Sequence, residues 1–531
     1  MKTLLLSAVA ILTLAIAAES ADQKFPQRWN YVKGDLSKDA GTDALIDLMK
    51  QSKEVGCTHF MLVDGRWLRG ADNAAYQARA AKVQDFAREN KLTIVPCVYA
   101  LGYSGRYLGF DPNLCAGLPV KGMPFVVKGK SAAADPDLAV DTAGVKAEGP
   151  AAAGKIKVKP FTHYRVTFTA GGEFSGDADE WIRFSSKVGS RWVTRRNLDS
   201  TKDGAAGKTQ YETTFNSLEA EELNVRITQA VENLKIMPAG LLMVIRRELC
   251  PLKVTSPDGK TVYEEGKDFK PVSDPKLTTD GEFLFNHESP SIQLTDDSRI
   301  KDGEKLSVSF FHAYRMGGDQ DVISMEDPKV FEIMEKDVAN CVKVWKADGY
   351  FMNYDEIRIG GWEKPDKKPG EILAEHVKKG CDLVRKYAPG AKVYTWSDMF
   401  SPFHNAREFK VKGYYYLVNG NWDGAWEGLP KDVIIMNWYS PKVDGMKFFA
   451  DRGHAQVVCG YYDGTSTDKM KNNIANWMKV SDGVPNVLGF MYTTWRKNYK
   501  DLKEYFELVD TYSQWGKASK AVAGKEPGVT E

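Results

Sequence analysis

Strand-like and helix-like segments alternate near both ends of this chain and stop alternating in between, and that interruption restricts the available folds more than any other feature. Trp29 to Val32 reads as a strand, and Leu45, Leu48, Met49 and Val55 then recur at helical spacing up to Gly56. "THFMLVDG" is a buried strand ending at Asp64; Val83, Phe86 and Ala87 mark a second helix, and "LTIVPCVYALG" a third strand. The pattern resumes at Asp327, which is placed to cap a helix with Pro328 in its first turn. Phe331, Met334, Val338, Cys341, Val342 and Trp345 form the inner stripe of that helix. Strands follow at Tyr350 to Tyr354, Lys392 to Thr395, Val433 to Met436, Gln456 to Gly460 and Val487 to Met491. Three strands before the gap and five after it supply the eight units of a closed (β/α)8 TIM barrel, an α/β fold.

The gap of about two hundred residues is too long for a loop and predicts a module inserted after the third barrel strand. Its first part, "SAAADPDLAVDTAGVKAEGPAAAG" (131 to 154), reads as an Ala/Gly/Pro-rich connector. "YRVTFTA", "EWIRFSS", "RWVTRRN", "YETTFNS" and "LNVRITQA" are short runs rich in β-branched and aromatic residues, as in an antiparallel β-sandwich. "PLKVTSPDGKTVYEEGKDF" predicts a hairpin turning at Asp258-Gly259, and "EKLSVSFFHAY" leads back out. The expected organisation is barrel strands one to three over 25–105, an inserted β-rich module over 106–315, strands four to eight over 316–515, and a tail over 516–531. Residues 1–20 pair one Lys with an apolar run and end on Ala18-Glu19-Ser20, which predicts a secretory signal peptide and a periplasmic or extracellular protein.

Charge excludes some partners. With 72 basic and 71 acidic residues the net charge is +1, and no basic run interleaved with aromatics suggests a nucleic-acid partner. No segment after the leader is long and apolar enough to span a bilayer. The seven cysteines are scattered without a C-x-x-C, and no H-E-x-x-H, P-loop, G-x-G-x-x-G or G-x-S-x-G sequence occurs. No cofactor and no metal is expected; the oxygen-rich "GDQD" and "SGDADE" lack an EF-hand spacing. The 13 Trp and 23 Tyr suit a protein that stacks flat rings against sugars, so an oligosaccharide or polysaccharide substrate is expected.

Barrel enzymes carry their chemistry where strands run into the following loops. In "YFMNYDEIRIGGW" the fourth strand runs into Asp355 and Glu356; Trp396 and Asp398 follow the fifth, Trp438 and Tyr439 the sixth, Tyr462 and Asp463 the seventh, Trp495 the eighth. Carboxylates among tryptophans can hold a sugar ring and protonate its leaving oxygen. A structural role competes with this reading, with Asp355 on loop amides and Glu356 paired to Arg358. The Asp-Glu pair, "YTWSDMF" on the fifth strand and "TTW" on the eighth resemble the catalytic barrel of glycoside hydrolase family 20, the β-N-acetylhexosaminidases. Where that family has His-x-Gly-Gly before the pair, this chain has Met352-Asn353-Tyr354. The resemblance implies substrate-assisted hydrolysis, with Glu356 as general acid/base, protonated at the outset, and Asp355 as the charged group that orients the acetamido substituent. Trp396, Trp438 and Trp495 would cage the sugar, and Tyr439 would bond the acetamido oxygen.

Two other readings stay open. Glu356 with Asp463 as nucleophile makes a retaining glycosidase. A catalytically inactive carbohydrate-binding protein would recognise sugars through Trp181 or Trp192 of the insertion. His312 and Tyr314 lie where the insertion rejoins the barrel, at the pocket rim or in the core.

Overall fold

The computed structural model describes residues 25–171, 182–186, 192–194, 199–204, 208–278, 285–316, 320–407, 415–461, 463 and 466–523. The expected leader, Trp181, the side chain of Trp192, "SGDADE" and Tyr462 lie outside the described residues.

Eight parallel strands close into a barrel: β1 (Gln27–Lys33), β2 (His59–Val63), β3 (Thr93–Val98), β4 (Gly349–Met352), β5 (Lys392–Trp396), β6 (Ile434–Trp438), β7 (Gln456–Cys459) and β8 (Val487–Tyr492). Closure is made by β1 on β8, with Gln27 opposite Gly489 and Asn30 opposite Tyr492. Helices α1 (Asp39–Glu54), α2 (Ala74–Glu89), α3 (Pro328–Trp345), α4 (Pro369–Tyr387), α5 (Gly445–Asp451), α6 (Thr467–Ser481) and α7 (Leu502–Ala523) follow the strands. Asp327 caps α3 by accepting the Lys329 amide, with Pro328 at the first helical position. No described helix is long and apolar enough to cross a membrane.

Alternate strand residues point inward, and they fill the barrel in layers. Trp29, Tyr394 and Met436 belong to one layer, with Trp29 and Tyr394 at 5.3 Å between ring centroids. Two residues further along the same strands stand Tyr31, Trp396 and Trp438, so the layer at the C-terminal mouth is aromatic. On β4 the same step of two leads from Phe351 through Asn353 to Asp355. A carboxyl group thus follows the inward row of β4, past the strand's end and one step beyond the level of Trp396.

The insertion leaves from the loop between β3 and α3, on the face that bears the strand ends. Its entry strand Leu118–Lys128 and exit strand Lys305–His312 pair antiparallel, Leu118 opposite His312 and Lys305 opposite Val126. It contains more sheet than one sandwich. The described strands form antiparallel sheets of six, five and four, the six-stranded one built around the entry and exit strands with its own core of Val120, Phe125, Leu306 and Phe310. Phe184 of the five-stranded sheet stacks on Phe215 of the four-stranded one at 4.4 Å.

The supposed connector is a correction to the sequence reading. Ser131–Ala134, Val145–Glu148 and Ala151–Lys157 are strands. Small residues serve here for close approach: a β-carbon on Gly154 would lie 2.0 Å from the Gly144 carbonyl oxygen of the paired strand. The hairpin at Asp258-Gly259 is present, Val254 pairing with Tyr263 and Gly259 at φ +73°. His312 and Tyr314 are buried, His312 stacked on His163 at 3.6 Å, so both are core.

One buried carboxylate ties the barrel to the helix that follows the insertion. Asp337 of α3 accepts the Trp67 indole N–H at 2.6 Å, the Tyr99 amide at 2.9 Å and the Tyr107 hydroxyl. Removing it leaves three buried donors unpaired. Asp337→Leu is expected to lower the unfolding free energy by about 3 kcal/mol or more, measured by urea denaturation.

Candidate active site

β4 supplies the centre of the site. The chain turns sharply as it leaves this strand, with Glu356 at φ +43°, a left-handed conformation uncommon for an L-residue. Neighbouring strand side chains point to opposite faces, and this turn brings Asp355 and Glu356 to one side of the mouth. Gly102, on the loop after β3, makes room for it: a β-carbon there would sit 1.7 Å from the Asp355 carbonyl oxygen.

The two carboxyl groups meet different surroundings. Asp355 is 8 % exposed, and its Oδ1 is buried with no hydrogen-bond partner among the described residues. Burial first, then the charges of Asp398 and Glu356, push its pKa well above the carboxylate range, with Arg358 opposing. The Glu356 side chain is 26 % exposed and ion-paired with Arg358. Its Oε2 accepts the Tyr103 hydroxyl at 2.7 Å. The Arg358 guanidinium lies 5.5 Å from the ring centroids of both Tyr103 and Tyr416. An arginine against a carboxylate favours its charged form. Burial and the neighbouring carboxylates thus favour a proton on Asp355, while Glu356 faces the Arg358 guanidinium. The structural alternative is met in half: Glu356 does pair with Arg358, but no loop amide bonds Asp355 among the described residues.

The other strand ends divide into two sets. Trp396 and Asp398 lie beneath the surface: Trp396 packs at 4.8 Å from Phe351 and 5.6 Å from Trp495, and Asp398 is fully buried. Asp398 accepts the Glu356 amide at 3.1 Å, the Asn405 side-chain amide at 2.9 Å and the Trp438 indole at 3.2 Å. Burial pushes its pKa up to about 7 against the pull of the Glu356 amide. Trp438, Tyr439, Asp463 and Trp495, by contrast, line a cavity of about 480 Å³, together with Tyr461, Lys469 and Asn473. Tyr439 is 42 % exposed and left-handed at φ +67°. Asp355 and Glu356 do not line this cavity; they lie on the other side of Trp438, whose indole reaches Asp398 and so the Glu356 amide. Asp463 accepts the Thr494 hydroxyl at 2.6 Å, the Arg496 amide at 3.0 Å and the Trp495 amide. That carboxylate holds the loop after β8 in place.

Sequence reasoning missed four members. Tyr103 stands at the root of the insertion, and Gln320, from its other root and the "GDQD" stretch, donates to the Tyr103 hydroxyl at 3.3 Å. His404 lies 5.0 Å from Trp438 and stacks on Tyr439 at 5.7 Å; burial lowers its pKa to about 4, so it is neutral. Tyr415 is buried near Glu356, Arg358 and Asp398, its hydroxyl without a partner among the described residues. Barrel anatomy gave the same general signal for Tyr103, His404 and Tyr415, all in loops after barrel strands. Asp355, Arg358, His404 and Tyr415 each have a buried polar atom without a partner among the described residues.

Comparison with solved structures gives remote likenesses. A rhamnosidase from a Novosphingobium species is 9% identical with a TM-score of 0.35 over 93% of this chain and 59% of its own. A Flavobacterium johnsoniae chitobiase is 8% identical with a TM-score of 0.35 over 93% and 52%. A Vibrio harveyi exo-β-N-acetylglucosaminidase of glycoside hydrolase family 20 is 9% identical with a TM-score of 0.40 over 94% and 57%. The chain thus spans between about half and three fifths of these three structures. No family profile and no curated sequence matches it. Likeness this remote bears on no activity, and the site's own geometry is what speaks to function.

The raised carboxyls make stability depend on pH. Asp355 and Asp398 bind protons more tightly folded than unfolded, so their contribution is complete below the unfolded carboxylate range and is lost as pH rises through the folded values, about 7 for Asp398. Asp355→Asn removes the Asp355 share. Its melting temperature is expected to exceed the wild type's at about pH 8 and to match it near about pH 4, measured by calorimetry at both.

Proposed function

We propose that the protein is a glycoside hydrolase acting at the C-terminal mouth of the barrel, with Glu356 exchanging the proton with the glycosidic oxygen and Asp355 orienting the sugar. Cleaving an acetal near neutral pH takes a proton donor and a negative charge close to the anomeric carbon. The observation that supports the reading is the unequal pair itself: two adjacent carboxyls after one barrel strand, one buried with its pKa raised, the other partly exposed against Arg358. Environments that push two carboxyls apart are what assign acid and base roles in such sites. Glu356 is the member that solvent, and hence a leaving oxygen, reaches. Asp355, with its unpartnered Oδ1, is the member that a donor on the sugar ring meets; an acetamido N–H fits it.

One observation favours the opposite assignment, with Asp355 as donor: Arg358 already sits on Glu356 while burial favours a proton on Asp355. Leaving groups separate the two. Replacing the true acid spares a dinitrophenyl glycoside, whose leaving group needs no proton, and cripples an alkyl glycoside by about a hundredfold or more. Glu356→Gln is expected to show this pattern, and Asp355→Asn to lose both substrates alike. The test is a panel of aryl and alkyl glycosides with and without a 2-acetamido group, run on wild type, both variants and Asp463→Ala. Asp463→Ala is expected to weaken KM and stability; complete loss of turnover there would make Asp463 the nucleophile. A wild type that cleaves nothing, with glycan binding untouched by Glu356→Gln, overturns the hydrolase reading in favour of a binding protein.

A further inference from the structure

The mouth contains a carboxylate that no sugar reaches. Asp398 has no exposed surface, and its oxygens are divided among groups from neighbouring strand ends. Oδ2 accepts the Glu356 amide at the end of β4 and the Asn405 side chain; Oδ1 accepts the indole of Trp438 on β6. The Asn405 amide in turn donates to the Asp398 carbonyl at 3.0 Å, closing a small ring around the carboxylate. One side chain on the β5 loop thereby fixes two things that must agree: the backbone of Glu356 in its left-handed turn, and the plane of the ring that walls the cavity. An L-residue keeps such a conformation only where its neighbours enforce it.

We propose that Asp398 is a positioning residue, not the substrate contact that its place on the β5 loop first implied, and that it sets the carboxyl pair and the Trp438 ring in one common register. The proposal rests on the hydrolase reading only for what the positioned groups do. The charged and titratable groups facing Asp398 are Asp355, Glu356 and Tyr415, with Arg358 beside them and His404 across the Trp438 ring. Each bond that Asp398 makes is accepted. Protonation turns one acceptor oxygen into a donor facing a donor, so a bond is lost when Asp398 gains a proton. Because burial brings that event up to about pH 7, it falls in an accessible range, and the Trp438 indole reports it.

Intrinsic tryptophan fluorescence of the full chain, titrated from about pH 5 to about pH 9, is expected to show a transition near pH 7 in the wild type and none in Asp398→Asn or Trp438→Phe. Asn405→Ala removes one donor and leaves the charge, so its transition moves to higher pH. On a glycoside that the wild type cleaves, Asp398→Asn is expected to lose about a hundredfold in kcat with KM within about threefold. Near-UV circular dichroism and melting verify that the variants are folded. A flat wild-type titration, a wild-type transition retained in Asp398→Asn, or an unchanged kcat overturns the proposal. A protein that titrates as expected and cleaves no glycoside keeps Asp398 as the organiser of the mouth and removes the hydrolase reading instead.

Discussion

Closure of the parallel sheet, β1 hydrogen-bonded to β8, is the constraint on which the rest of the molecule depends. Parallel strands that close on themselves all end on one face, and a period of two decides which side chains meet there. Residues far apart in the chain are thereby set around one opening: Tyr31 from β1, Asp355 after β4, Trp396 and Asp398 from β5, Trp438 from β6 and Trp495 after β8. The interior below them is filled by Trp29, Met61, Phe351, Tyr394 and Met491, so the mouth is a floor-backed pocket and not a pore.

What distinguishes this floor is the charge placed on it. Burying carboxyls among rings is unfavourable, and the protein meets the cost in three ways. Glu356 is given a guanidinium and a phenol, Asp398 three donors, and Asp355 surroundings that favour its neutral form. These solutions are coupled, because the Glu356 amide is one of the Asp398 donors and both charges raise Asp355. Selection for stability alone removes such a group; a buried carboxyl with an idle oxygen is the kind of local cost found where chemistry or binding is done.

Much of this was legible in the chain. The eight strands and the Asp327-Pro328 helix start are local patterns of spacing and capping, and local patterns survive folding. The strand-end position of Asp355, Trp438 and Trp495 followed from barrel anatomy. Other features depend on what the fold brings near. Nothing in "DEIR" says that Glu356 turns left-handed, since that turn is paid out by Gly102 and Asp398, both remote in sequence. Tyr103, His404 and Tyr415 join the site through loops whose paths are set by tertiary packing. The stretch 131–154 misled for a related reason: alanine and glycine suit a linker, but they also suit strands that must lie close together, and only the partner strand decides between the two.

The paired strands at the base of the insertion have a consequence for how such a chain can vary. Leu118–Lys128 and Lys305–His312 begin and end side by side as a ribbon, and between them Arg247 pairs with Asp327 and Glu363 and Phe161 packs on Trp362 on the barrel side. A chimera that exchanges the inserted sheets keeps the pairing of β1 to β8 but must keep these ties as well. Yet Tyr103 and Gln320, at the two feet of the ribbon, reach the Glu356 carboxylate directly or in relay. Any such exchange that shifts the feet retunes the carboxyl pair, so the graft boundary and the chemistry are inherited together.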